Sequence, residues 1–84
     1  MNIHETIINF FINDSDLAPG RESIEYEEQL IEGGLIDSLG ILKLISFLEE
    51  EYDITFEEDE INAENFASIN TITQMVDNHL KTQN

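Results

Sequence analysis

One serine in this sequence stands where its hydroxyl could carry a covalently attached group. Ser38 lies in the segment GGLIDSLG (33–40), at the start of a run with helical apolar spacing. Asp and Ser both favour the N-cap of a helix and the glycines suit a turn, so the segment is in the first place a helix start. A helix N-terminus presents free N–H groups and the positive end of the dipole, which tolerate phosphate well. Ser38 is therefore also a suitable site for a phosphodiester-linked group.

The residues that catalysis would require are poorly placed. A hydrolytic serine needs a base within reach, and the histidines are His4 and His79, which the pattern puts on the surface or boundary of the first and last helices. Carboxylates are abundant, but a catalytic pair needs a pocket that separates their two pKa values. The sequence therefore predicts a protein that is not an enzyme.

The acid-rich stretch 49–60 raises the possibility of a calcium site, because it contains 8 acidic side chains. An EF-hand loop needs acidic and amide ligands at alternating positions and a glycine at its sharp turn. Residues 53–64 contain no glycine. We therefore expect weak, nonspecific binding of divalent cations and no dedicated metal site.

Composition excludes several classes of function. The 84 residues include 19 acidic and 3 basic side chains, with a net charge of −16 and no cysteine. This length supports one domain, residues 1–84. Without cysteine, a disulfide scaffold, a thiolate metal site and a protein thiol nucleophile are excluded. The charge should repel nucleic acid and anionic membranes and attract basic partners. We expect a cytoplasmic monomer without a nucleic-acid partner or membrane insertion.

The first element that the periodicity predicts is a helix over residues 2–13. Its core face carries Ile3, Ile7, Phe10 and Phe11, and Asp14 to Asp16 followed by Pro19-Gly20 should end it. A long irregular connection follows, with a possible helical turn at 27–31 and an end at Gly33-Gly34. Its apolar anchors on the core are predicted to be Leu17, Ile24, Tyr26, Leu30, Ile31, Leu35 and Ile36.

The second helix should begin at Asp37 or Ser38 and run to Tyr52. A helical wheel assigns the core face to Ile41, Leu44, Ile45, Leu48 and Tyr52. The side that Ser38 borders carries Leu39, Leu42, Ser46, Glu49 and Glu50. Two leucines thus lie outside the core. From the residues alone they are either scattered surface leucines or a docking patch.

The rest of the chain completes a helical bundle. Residues 53–60 suggest an extended crossing, and Ala63 to Phe66 a short helical turn. Ser68 or Asn70 can cap a last helix, with Met75 and His79 flanking its core face. That core face carries Ile69, Ile72, Val76 and Leu80. The predicted fold is all-α: a four-helix bundle of three main helices and one short helix.

In order along nearly the whole chain, the sequence resembles the acyl carrier protein family. The resemblance rests on Asp37-Ser38-Leu39 with Leu35-Ile36 before it, on the helix 41–51, on EEEYDI (49–54) and on NFASI (65–69). It implies a carrier-type bundle in which a phosphopantetheinyl transferase attaches 4'-phosphopantetheine from coenzyme A to Ser38.

The resemblance also implies how such a chain works. Its cargo would travel as a thioester on the thiol of the arm, so the protein is a carrier and not a catalyst. Its other partners would be an acyl or aminoacyl ligase and acyl-processing enzymes with basic docking patches. The second helix is the family's usual recognition element, which favours the docking interpretation of the two leucines. The predicted docking residues are Leu39, Leu42, Lys43, Ser46, Glu49 and Glu50.

Two positions depart from the carriers of fatty-acid synthases. Where those commonly have acids, this chain has Gly40 and Lys43, which should weaken docking to basic patches by roughly 0.2 to 1 kcal/mol per exposed pair. The variant looks more like stand-alone carriers served by an adenylate-forming ligase. We therefore expect a carrier dedicated to one fatty-acid, polyketide or other specialised pathway. A D-alanyl or peptidyl/aminoacyl carrier is the alternative.

Two other classes follow from the charge alone. An acidic inhibitor that mimics nucleic acid would need carboxylates spread like phosphates, and it leaves the segment 33–40 unexplained. A metal-buffering module lacks suitable ligand spacing. Both are weaker hypotheses than the carrier.

Overall fold

The computed structural model describes residues 2–13 and 23–82. Over those residues the protein is helical and has no strand, which confirms the all-α prediction and is compatible with a small helical bundle. The elements are α1 (Ile3–Asn13), α2 (Ser38–Tyr52), a 3₁₀ helix (Glu58–Glu60) and α3 (Ile69–Thr82). The bounds of α1 and α2 agree with the sequence pattern, because both helices follow local apolar periodicity. The predicted terminators of α1, Asp14 to Asp16 and Pro19-Gly20, lie outside the described residues.

A single apolar core joins the helices to the connection before α2. Its fully buried side chains are Ile7, Phe11, Leu30, Leu44, Leu48, Phe66, Ile69, Ile72 and Val76. The predicted core face of α2 is confirmed, with Ile41 and Tyr52 partly buried at its two ends. On α3, Met75 is buried with the core instead of flanking it.

The connection before α2 is a packed loop, as predicted. Its anchor Leu30 is fully buried and donates its backbone N–H to the Ala67 carbonyl at 2.8 Å. Ile24 and Ile36 are also buried, but Tyr26, also a predicted core anchor, is 40% exposed. Turns fall at residues 26–27 and 30–34, which overlap the predicted helical turn at 27–31, and the described part of the loop contains no regular helix. Leu17, another predicted anchor, lies outside the described residues.

Of the two predictions between α2 and α3, the first is wrong in part and the second is confirmed. Part of the expected extended crossing is the 3₁₀ helix Glu58–Glu60, in which the Glu57 backbone N–H donates to the Glu60 carboxylate at 2.7 Å. The helical turn expected at residues 63–66 is present, because these residues are all in turns and the Phe66 backbone N–H donates to the Asn62 carbonyl four residues earlier, at 3.2 Å. The Asn62 side chain holds those turns by accepting the Asn65 backbone N–H at 2.8 Å. Side-chain bonds to the backbone, which leave no periodic pattern, decide both segments.

The start of α3 is capped by Ser68 and not by Asn70. The Ser68 hydroxyl accepts the Thr71 backbone N–H at 3.2 Å, and the Thr71 hydroxyl accepts the Ser68 backbone N–H at 3.1 Å. This reciprocal arrangement satisfies free N–H groups at both ends of the first turn. Asn70 lies inside α3 and its backbone N–H donates to the Tyr26 carbonyl at 2.9 Å, which ties the connection to α3.

Candidate functional site

Asp37 is the N-cap of α2, which settles the ambiguity between Asp37 and Ser38. Its backbone is extended (φ −116°, ψ −173°) and its carboxylate accepts the Gly40 backbone N–H at 2.8 Å. Its carbonyl accepts the Ile41 N–H at 2.9 Å. Ser38 is therefore the first helical residue, and its side chain is exposed. Capping is done by the neighbouring residue, so the Ser38 hydroxyl is left for other chemistry.

The turn before Ser38 requires its two glycines for different reasons. A Cβ on Gly33 would lie 2.4 Å from the Gln29 carbonyl oxygen, which is a clash with backbone. Gly34 has a φ of +77°, a left-handed conformation that side chains disfavour. After the turn, the Leu35 and Ile36 N–H groups both donate to the Leu30 carbonyl, at 2.8 and 3.2 Å. The buried Leu30 thus anchors the backbone that leads into Ser38.

An open groove of about 570 Å³ borders Ser38. Most of its lining is apolar and comes from three parts of the chain: Ile31 and Ile36, Ile41 and Leu42, and Ile61 and Ala63. The polar residues of its wall are Asp37, Ser38 and Asn62. A group attached to Ser38 thus starts beside an apolar surface that α2 shares with the segment after the 3₁₀ helix.

Sequence reasoning missed the wall formed by Ile61, Asn62 and Ala63. The available signal was Ile61, a single large apolar residue between acidic and polar neighbours in EEDEINAEN (57–65). The wall is braced by side-chain amides: Asn62 donates to the Asp59 carbonyl at 2.9 Å and Asn65 to the Glu60 carbonyl at 2.9 Å. These bonds explain why a segment without a regular helix keeps a defined shape.

The same wall is tied to α3 through Glu60 and His79. The His79 Nε2 atom lies 2.9 and 3.0 Å from the two Glu60 carboxylate oxygens, and its ring packs edge-on against Phe56 with centroids 5.1 Å apart. Burial acts to raise the pKa of Glu60, but the hydrogen bond from the Glu57 N–H, the hydrogen bond with His79 and the attraction of that ring's charge outweigh it. The pKa of Glu60 is therefore below its ordinary value.

The residues predicted for docking divide into two groups. Leu39 and Leu42 are 63% and 59% exposed, and Leu42 lines the groove. Ser46 and Glu50 are also exposed but follow later on α2, away from the groove lining, and Lys43 is half-buried. Glu49 is half-buried, and its carboxylate accepts the Phe56 backbone N–H at 3.0 Å. The structure brings the two leucines to the Ser38 end and uses Glu49 inside the fold.

The two histidines make their contacts away from Ser38. The His4 ring stacks on Tyr26 with centroids 4.2 Å apart, and its Nε2 lies 3.2 Å from the Asn70 Oδ1 atom. Neither histidine lines the groove. Within residues 2–13 and 23–82, no group of three or more potential metal ligands is close enough to hold an ion.

Comparisons with known proteins assign no family. A scan of the chain against protein-family models finds no match, and a search of curated proteins finds no significant relative. In the part of the chain that the structure describes, no helix combines the length and the apolarity needed to cross a bilayer. A capped helix start with an exposed serine beside an apolar groove is thus the main indication of function.

Proposed function

We propose that this chain is an acyl carrier protein, with 4'-phosphopantetheine attached to Ser38. The observation that carries the proposal is the position of Ser38, an exposed hydroxyl on the first residue of α2 beside an apolar groove. Asp37 supplies the cap. A phosphodiester on Ser38 therefore would not cost the helix its N-cap.

The start of α2 suits the phosphate of this group. The first N–H groups of a helix have no acceptor within the helix. The Asp37 carboxylate takes the N–H of Gly40, so the earlier N–H groups, those of Ser38 and Leu39, are the ones that a phosphate on Ser38 could engage. The positive end of the helix dipole adds to this stabilisation.

The apolar groove suits a hydrocarbon cargo. When bound, the prosthetic arm supplies the thiol that this chain lacks, and the cargo is carried on it as a thioester. Ile36, Ile41 and Ile61 line the groove and would shield an apolar chain from water. Desolvating the ammonium group of an aminoacyl cargo against the same walls would be unfavourable. The lining thus favours an acyl cargo.

The second candidate is a D-alanyl or peptidyl/aminoacyl carrier. It is favoured by Gly40 and Lys43 beside Ser38, where acidic residues would suit the basic patches of general fatty-acid enzymes. In either case the partners are a phosphopantetheinyl transferase, a ligase and acyl-processing enzymes of a dedicated pathway in the cytoplasm. The proposed architecture is the carrier-type four-helix bundle, in which the expected short element, at residues 63–66, is a single helical turn.

Intact-mass measurement tests the proposal. The full chain is incubated with coenzyme A and a phosphopantetheinyl transferase of broad carrier tolerance, and we expect a gain of one phosphopantetheine. Ser38→Ala should abolish the gain. Ser46→Ala is the matched control, because Ser46 is also an exposed serine of α2, and it should be modified fully. Absence of any gain in the folded wild-type protein would contradict the carrier function.

A further inference from the structure

We propose that the partners of Ser38 dock across the groove, on an apolar patch formed by Leu39, Leu42 and Ile61, and not along α2 toward Glu50. The inference rests on the proposed function, because it concerns proteins that act on the same serine. It commits to one occupant, a different protein whose contact surface is apolar at its centre.

The patch contains three of the four large apolar side chains that are exposed among the described residues. Leu39, Leu42 and Ile61 are 63%, 59% and 39% exposed, and the fourth is Tyr26. Leu39 and Leu42 are neighbours on the surface of α2, three residues apart. Leu42 and Ile61 line the same groove. The three side chains thus form one patch beside Ser38, and clustered exposed apolar residues mark interaction sites.

The distribution of charge points to an apolar contact at this end. Residues 33–48 contain one acid, Asp37, and one base, Lys43, so their net charge is zero in a chain of −16. The Asp37 carboxylate is engaged in the cap. The 8 acids of residues 49–60 lie beyond this neutral stretch. A basic partner surface has few carboxylates to meet beside Ser38, and an apolar one has three exposed side chains.

The position of Ile61 is built into the fold. Its backbone N–H donates to the Glu58 carbonyl at 3.2 Å, and the preceding residue, Glu60, is held by Asn65 and by His79. A side chain on a braced segment loses little conformational freedom when a partner covers it. A partner could therefore cover the Ile61 side chain at a small cost in conformational entropy.

Net charge argues against a second copy of this chain as the occupant. Each copy carries −16, and two such surfaces repel one another over about a Debye length at moderate salt. A protein with an apolar centre and basic residues at its rim fits better. Its rim could meet the exposed acids of residues 57–59, which precede Ile61 in the chain, while its centre covers the patch.

The test uses a phosphopantetheinyl transferase of broad carrier tolerance as the probe and measures kcat/KM for modification of Ser38 by mass spectrometry. Ile61→Ser should lower kcat/KM about tenfold through lost apolar burial. Ile61→Val keeps an apolar side chain and should stay within about twofold. Glu50→Gln, the matched change along α2, should also stay within about twofold. The loss in Ile61→Ser should be the same in low and high NaCl, because salt does not screen an apolar contact.

Each result decides between the alternatives. Docking across the groove is overturned if Ile61→Ser is folded, as its melting curve shows, and its kcat/KM stays within about twofold of wild type. It is also overturned if Glu50→Gln lowers kcat/KM more than Ile61→Ser does. A wild-type dimer in light scattering that becomes a monomer in Ile61→Ser would show that a second copy covers the patch, and would also overturn it. If wild-type protein gains no phosphopantetheine at all, the carrier function itself fails and this docking surface fails with it.

Discussion

The region around the start of α2 and the acid-rich stretch 49–60, which includes the last residues of α2, differ in how they use their side chains. Residues 33–48 are neutral overall and leave Ser38, Leu39 and Leu42 exposed at the surface. Residues 49–60 are densely acidic, yet Glu49 and Glu60 bond within the fold, to the Phe56 N–H and to His79. Two acids of the most charged stretch thus form hydrogen bonds that hold the fold together, whereas the neutral region exposes the Ser38 hydroxyl.

The largest expected effect concerns the apolar support of the neutral region. Leu30→Ala should lower the free energy of unfolding by about 2 to 5 kcal/mol, because it removes a fully buried side chain and leaves a cavity. Leu30 is fully buried and its carbonyl holds the backbone leading to Ser38. Urea denaturation measures the loss. Leu30→Met, which nearly conserves volume, should cost less than about 1.5 kcal/mol; equal losses in both variants would contradict the cavity argument.

The second effect concerns the cap beside Ser38. Asp37→Ala should lower the free energy of unfolding by about 1 kcal/mol, because the Gly40 N–H loses its acceptor. Asp37→Asn retains a side-chain oxygen and should remain within a few tenths of a kcal/mol of wild type, by rough analogy with other caps. Thermal or urea melts of the two variants provide the measurement. A cost in Asp37→Asn as large as in Asp37→Ala would mean that the cap bond contributes nothing.

The third effect tests the acidic region through pH. The pKa of Glu60 is lowered below its ordinary value of 4.5 in the folded protein. Its stabilisation is therefore complete above that value and is lost as the pH falls through the lowered folded-state pKa. Glu60→Gln should cost about 1 kcal/mol at neutral pH, and this difference from wild type should shrink in acid.

Urea unfolding of wild type and Glu60→Gln across this pH range gives the difference directly. Glu58→Gln is the control, because Glu58 is an exposed acid of the same 3₁₀ helix. Its difference from wild type should be small and nearly independent of pH. A difference for Glu60→Gln that grows as the pH falls below 4.5, where the Glu60 carboxylate takes up its proton, would reverse the sign and refute the stabilising role of that carboxylate.

The smallest effect separates two adjacent acids at the end of α2. Glu49→Ala should lower the free energy of unfolding by about 0.5 to 1 kcal/mol, because the Phe56 N–H loses its acceptor. Glu50 is exposed, and Glu50→Ala should change stability by less than about 0.5 kcal/mol. Parallel chemical denaturation compares them. Equal effects would remove the distinction between acids that build the fold and acids that only charge the surface.

Local pattern sufficed for the elements that carry Ser38. The spacing of apolar residues predicted α2 and its core face, and placed Leu39 and Leu42 outside the core. It failed at the 3₁₀ helix Glu58–Glu60. There a hydrogen bond from the Glu57 backbone N–H to the Glu60 carboxylate sets the conformation, and such bonds depend on geometry that residue types alone do not reveal.

The sequence by itself determined an all-α chain with a serine at a helix start, because helix periodicity and capping act over a few neighbouring residues. Only the tertiary structure decided that Asp37 is the cap, that Glu49 and Glu60 are used inside the fold, and that Ile61 faces the groove with Leu42. The last two results join residues on different elements. Long-range packing, which no local spacing encodes, therefore determined the surroundings of Ser38.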